Sequence, residues 1–134
     1  MEFTQSFEIT RWEPAVYDDR DGVVLARVEV YKLFDGELTG TSTAELLSVG
    51  TTAGPSAYTA VERFDGTLSG REGTFVLVHG AGADSAAASG YVATGTGTGE
   101  LTGLRGTVTF VHDDEGPRLT FDYELPGAEK TAQD

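Results

Sequence analysis

The sequence has no cysteine. That excludes disulfide staples, thiolate zinc sites and thiol nucleophiles, and it fits a reducing compartment. Lysine is nearly as scarce: Lys32 and Lys130 stand alone, and 9 basic residues face 22 acidic ones for a formal charge of −13. A surface of that sign repels phosphate backbones and anionic lipid, so neither nucleic acid nor a membrane is an expected partner. Excess acid also keeps a β-rich chain soluble and discourages strand edges from pairing. Long apolar runs are missing too. Val23-Val24-Leu25-Ala26 is among the longest and is far too short to cross a bilayer. The opening stretch, 1–10, lacks a basic segment followed by an apolar one, so no secretory signal is expected and the cytoplasm is the expected location.

What is present is β-strand material. Val, Thr, Phe and Tyr alternate with polar residues, and glycine interrupts them often, 18 times in 134 residues. The best helix candidate, 85–89, is too short to count. The length fits one domain over 1–126, with a polar, frayed tail over 127–134 after Pro126.

A repeat organises the chain. Phe34-Asp35-Gly36-Glu37-Leu38-Thr39-Gly40 recurs as Phe64-Asp65-Gly66-Thr67-Leu68-Ser69-Gly70, and more weakly as Gly99-Glu100-Leu101-Thr102-Gly103. Asp-Gly between strand-like runs is a strong hairpin signal, because a type I′ turn needs positive φ at both central residues. Each copy is therefore expected to start the returning strand of a hairpin. With those turns as fixed points, strands are expected near 3–17, 22–34, 37–49, 56–64, 67–79, 88–97, 100–112 and 117–125. Acidic turns follow the first and seventh, and longer loops cover 50–55 and 80–89. Pro14, which cannot donate a ladder bond, belongs at a bulge or a locally unpaired stretch. Eight sequential strands with short connections define the expected fold class: all-β, an eight-stranded antiparallel up-and-down barrel, closed so that no edge is left open.

Several motifs carry a resemblance. They are Trp12-Glu13; the stretch from Tyr58 through Glu62-Arg63, Gly66, Leu68, Gly70-Arg71, Gly73, Phe75 and Leu77 to His79; Gly97-x-Gly99-Glu100-Leu101-x-Gly103-Leu104-Arg105-Gly106; and Phe121-x-Tyr123-x-Leu125. Together, over about residues 3–125, they resemble a bacterial domain-of-unknown-function family with an allene oxide cyclase-like, dirigent-like barrel. The resemblance implies that fold, and often a homo-oligomer. It implies little about chemistry, because no residue matches the catalytic positions of either plant protein.

Candidate site residues come from the alternation. Glu62 shares a face with Tyr58, Ala60 and Phe64. A carboxylate on an apolar inner face has a raised pKa unless a partner stabilises the charge, and it can then serve as a general acid or base. The ordinary alternative is an ion pair with Arg71 or a place on the rim. His79 follows Phe75 and Leu77 on one face and could shuttle a proton. A two-residue turn at Asp65-Gly66 would set Glu62 opposite Ser69 and put His79 near the other end of the barrel. Only a turn near 70–73 would bring the two together, and the Asp-Gly turn is the expected one. Trp12, Tyr58, Phe75, Tyr91 and Arg71 complete the candidate ligand-binding set, against the ordinary alternative of barrel packing or a subunit contact. His112 is expected at a solvated strand end.

Other chemistries lack their motifs. The two histidines and scattered acids make no metal pattern, Asp19-Arg20-Asp21-Gly22 lacks the rest of a calcium loop, and Gly95-Thr96-Gly97-Thr98-Gly99 lacks the Lys and helix of a phosphate loop. No serine sits in a nucleophile elbow, and no cofactor is expected. Three readings follow. The barrel binds a small apolar or amphipathic molecule in its lumen, as a carrier or as an isomerase. Or paired carboxylates drawn from Glu8, Glu29, Glu62 and Asp122 hydrolyse a substrate in the manner of aspartic peptidases. Or the domain is a non-catalytic oligomeric scaffold.

Overall fold

A computed structural model of the chain describes residues 1–82 and 87–126. Eight antiparallel strands follow one another: β1 (Glu2–Arg20), β2 (Val23–Asp35), β3 (Leu38–Thr51), β4 (Gly54–Leu68), β5 (Arg71–Gly82), β6 (Ala87–Val92), β7 (Arg105–Asp113) and β8 (Gly116–Glu124). Each pairs with its sequence neighbour, and β8 returns to β1 through Phe3↔Phe121 and Gln5↔Leu119, so the sheet closes into a ring. Among the described residues, one 3-10 turn, Gly99–Leu101, interrupts the strand pattern. No helix among the described residues is long and apolar enough to cross a membrane. The expected tail over 127–134 lies outside the described residues, as do residues 85 and 86 of the stretch 85–89; its residues 87–89 belong to β6.

The turns follow the glycine chemistry only in part. Asp21 and Gly22, with φ of 57° and 76°, close β1 onto β2, as an Asp-Gly pair should. The second repeat copy behaves otherwise, and this corrects the expected register. Asp65 and Gly66 lie inside β4, paired with Thr74 and Gly73 of β5. The chain reverses at Ser69-Gly70 instead, both with positive φ, and Leu68 faces Arg71. Gly66 stays in the strand because backbone crowds it from the side. A Cβ there would meet the Thr39 carbonyl oxygen at 2.1 Å, and one on its partner Gly40 would meet the Asp65 oxygen at 2.3 Å. Two side-chain-free residues let β3 and β4 bend past each other. The third copy is a 3-10 turn rather than a strand, so the expected strand over 100–112 begins only at Arg105, and β6 ends at Val92 rather than 97.

Strand lengths are unequal, and this shapes the ring. β1 pairs with β8 only as far as Ser6, then runs on to Arg20 with β2 as its partner. Pro14 lies on this extension, opposite Val28 and between register shifts at Ile9/Arg11 and Val16/Asp18. One side of the strand there has no ladder partner among the described residues, which tolerates the missing N–H.

The interior divides in two. All 7 phenylalanines of the chain sit in or against one cluster with Leu38, Leu68, Leu101, Leu119 and Tyr123. Their rings meet edge-on, tilted or stacked, as in Phe34–Phe64 at 5.6 Å, Phe64–Phe75 at 5.1 Å and Phe75–Phe121 at 5.8 Å, and fill that half of the lumen. The other half is faced by smaller residues, Ala26, Val28, Val30, Ala44, Leu46 and Ala60. Small side chains on facing strands cannot meet across the ring, so space remains above the aromatic half.

Candidate functional site

That space is a cavity of about 750 Å³. Ala26, Val28 and Val30 of β2, Leu46 and Ser48 of β3, Pro55 and Ala57 of β4, and Ala81 of β5 form its walls, with Ile9 and Trp12 of β1 alongside. Lys32, Tyr58, His79, Phe110 and His112 supply nearly all of its polar or aromatic remainder.

A buried polar cluster lies between the two halves. The alternation of strand side chains brings it there: Lys32, Ser42, Glu62 and His79 all occupy inward positions, and all four are buried. Register then places them. Lys32 of β2 stands opposite Ser42 of β3, Glu62 of β4 stands opposite Ala44 of β3, and His79 of β5 stands opposite Ala60 of β4. Ser42 and His79 are thus the diagonal neighbours of Glu62, within reach of its carboxylate, and Ala44 and Ala60 leave room for the contacts. Lys32 Nζ lies 2.8 Å from Glu62 Oε1, His79 Nε2 lies 2.9 Å from the same oxygen, and Ser42 Oγ donates to Oε2 at 2.5 Å. The Tyr58 hydroxyl lies 2.9 Å from His79 Nδ1. Lys32 Nζ also sits over the rings of Phe110, at 4.3 Å, and Phe7, at 4.9 Å, where the ring faces attract a cation.

The electrostatics follow from these contacts. Burial pushes the Glu62 carboxyl up, but the Lys32 ammonium and then His79 outweigh it and hold the group at about 2. Glu62 is therefore ionised at neutral pH, and Lys32 balances it. Burial first, and the Glu62 charge second, push the Tyr58 phenol up to about 12, so Tyr58 keeps its proton. The donor inventory then sets the direction of the chain for a neutral imidazole. An ionised carboxylate only accepts, so His79 Nε2–H donates to Glu62. His79 Nδ1 is then an acceptor, and Tyr58 O–H donates to it. The relay Tyr58 → His79 → Glu62 ends on a carboxylate anchored by Lys32 and Ser42, and only its Tyr58 end is half-exposed. Burial, then the Lys32 charge, lowers the pKa of His112 beside the cavity.

The sequence candidates separate. Glu62, His79 and Tyr58 come together, and Trp12 lines the same cavity, 55% exposed. Glu62 and His79 meet because the reversal falls at Ser69-Gly70, not at Asp65-Gly66. Phe75 is buried in the aromatic half, stacked on Phe121 at 5.8 Å. Tyr91 points outward from β6, 54% exposed. Arg71 begins β5, six residues before the partner of Glu62, roughly 20 Å along the strand; the ion pair of Glu62 is with Lys32. His112 is exposed at a strand end, as expected, while still facing the cavity. Sequence reasoning missed Lys32 and Ser42. The signal was available for Lys32, which interrupts the inward series Val28, Val30, Phe34 on β2.

The fold and the site together define a class: a closed ring of antiparallel strands, half plugged by aromatic rings and half hollow, with a charge-neutral hydrogen-bonded floor. The chain belongs to the family described as "Protein of unknown function (DUF3224)", whose model matches residues 3–125. It is similar to the crystal structure of a protein of unknown function from that family in Shewanella oneidensis MR-1, at 33% identity and a TM-score of 0.83 over 93% of this chain and 97% of that one. Among curated proteins, no relative matches it.

Proposed function

We propose that the ring is a ligand-carrying barrel of the allene oxide cyclase kind, holding a small apolar or amphipathic molecule in its lumen and able to isomerise it through the Tyr58–His79–Glu62 relay. One observation carries the reading: a hollow of about 750 Å³, apolar along its walls, ends on a cluster of five hydrogen-bonded polar side chains. Pockets of this size with few, converging polar groups are the usual form of a small-molecule site. A buried polar cluster is also an expensive way to fill a core that hydrophobic residues would stabilise at least as well. The paired-acid alternative fits less well. Glu62 is held ionised by Lys32, whereas such a mechanism needs a second carboxyl sharing its proton.

Native mass spectrometry after gentle extraction tests the reading. The expected result is a protein ion carrying a small adduct that is lost on harsher activation. A protein that carries none, and takes up none from a panel of apolar compounds, would overturn it. Association of copies in the cytoplasm is part of the same proposal, supported by Leu47, Val61 and Tyr91 standing more than half exposed on the outer face; sedimentation analysis reads it directly.

A further inference from the structure

The relay has a direction, and the direction selects a ligand. With His79 neutral and its Nε2–H given to Glu62, Tyr58 donates its only proton to His79 Nδ1, 2.9 Å away, which leaves the hydroxyl of this cavity-lining residue with acceptor capacity and no proton to give. A hydroxyl that donates becomes a better acceptor in turn. Behind it, His79 is committed to Glu62 at 2.9 Å, and Glu62 is also filled by Lys32 at 2.8 Å and Ser42 at 2.5 Å. The charges of Lys32 and Glu62 cancel at the floor. A ligand carboxylate would find no free cation there, and a ligand ammonium no free anion. Val28, Val30 and Leu46 line the same cavity with apolar surface.

We propose that the cavity takes an uncharged, hydroxyl-bearing apolar compound, with phenols, the stronger O–H donors, as the favoured class, and that the Tyr58 oxygen accepts the ligand's O–H while the walls at Val28, Val30 and Leu46 pack against its apolar body. The inference rests on the ligand-carrying reading above and adds the chemistry of the head group. It reverses the obvious expectation for a tyrosine in an apolar pocket, which would be donation to a ligand carbonyl. Donation would require His79 to be cationic, with Nδ1–H given to the Tyr58 oxygen.

Isothermal titration calorimetry on the unaltered protein separates these cases, using para-propylphenol, its methyl ether, para-propylacetophenone and para-propylbenzoate. The phenol is expected to bind about tenfold more tightly than the ether, the worth of one hydrogen bond in a site that excludes water. The ketone should match the ether, and the benzoate should be weakest. In Tyr58→Phe the phenol-to-ether ratio should fall to near one, a change that general loosening of the fold, which weakens both ligands alike, would not produce. Equal binding of phenol and ether to the unaltered protein would overturn the head-group inference and leave the pocket standing. Tighter binding of the ketone would overturn it in favour of a donating Tyr58. If none of the four binds, the ligand-carrying reading falls and this inference with it.

Discussion

Replacing Lys32 with methionine should destabilise the protein severely, and more so the higher the pH. Met has a similar length and no charge, so the change leaves Glu62, 1% exposed, without its cation. Two routes give the size. Breaking a buried pair from one side costs about 3–5 kcal/mol. Independently, Glu62 is displaced from 4.5 to about 2, which at about 1.4 kcal/mol per pH unit is about 3 kcal/mol. A domain of this length should then melt roughly 10–20 °C lower.

The pH dependence carries the sharper test. In the unaltered protein the folded-state pKa of Glu62 is depressed. Its contribution is present above the unfolded value and is lost as pH falls through the folded one, from about 4.5 toward 2. In Lys32→Met, burial is no longer outweighed, so the folded pKa of Glu62 rises above the unfolded value. The folded state then binds the extra proton, and stability increases as pH falls from neutral toward 4.5. Urea denaturation from pH 5 to pH 8 reads both effects. The double variant Lys32→Met with Glu62→Gln should recover most of the loss, because no buried charge is left. A Lys32→Met protein within about 1 kcal/mol of the original, with a flat pH profile, would refute the reasoning.

Three further outcomes are expected. Ser42→Ala removes the donor to Glu62 Oε2 and should cost about 1–3 kcal/mol in urea; an unchanged midpoint would mean that the carboxylate does not need it. Gly66→Ala should be far more damaging than Gly70→Ala, because a Cβ at Gly66 meets the Thr39 oxygen at 2.1 Å whereas one at Gly70 meets nothing within 4 Å; Gly70 carries only the cost of its φ of +83°, about 1–2 kcal/mol, so equal melting temperatures would contradict the close-approach account. On the surface, the side chain of Arg118 and then the backbone N–H of Glu115 hold Asp113 at about 2, so an NMR titration of Arg118→Ala should find this carboxyl nearer the usual aspartate range, and an unmoved value would refute the pairing.

The strand count, the antiparallel order and the inward face were legible in the alternation of residues. The register between β4 and β5 was not, for a definite reason. A turn at Asp65-Gly66 and a turn at Ser69-Gly70 put the same side chains on the same face, since both are two-residue turns offset by an even number of positions. Hydrophobic periodicity is blind to that offset, yet it decides whether Glu62 meets His79. Local turn chemistry favoured Asp-Gly. The crossing of Gly40 and Gly66, a contact between strands, favoured the other. The 3-10 turn at Gly99–Leu101 was hidden similarly, because a repeat copy that begins a strand at Leu38 folds differently where Glu100 reaches back to the Glu72 N–H. The hollow half of the ring was legible in principle: Ala26, Ala44 and Ala60 occupy inward positions on three consecutive strands. That arrangement acquires meaning only once the register sets them around one space. Lys32 was visible as an inward cation, but its partner could not be named before the strands were aligned.

The polar floor, ordered in one direction beneath an apolar hollow, is open to direct observation through the two histidines. A long-range proton–nitrogen NMR correlation of histidine-labelled protein at neutral pH should show one ring, His79, as a neutral tautomer with its proton on Nε2, protected from solvent. Its Nδ1 signal should carry the shift of an acceptor and should move when Tyr58 is replaced by Phe. A His79 ring that is cationic, or protonated on Nδ1 alone, would contradict the arrangement from which the ligand proposals are drawn.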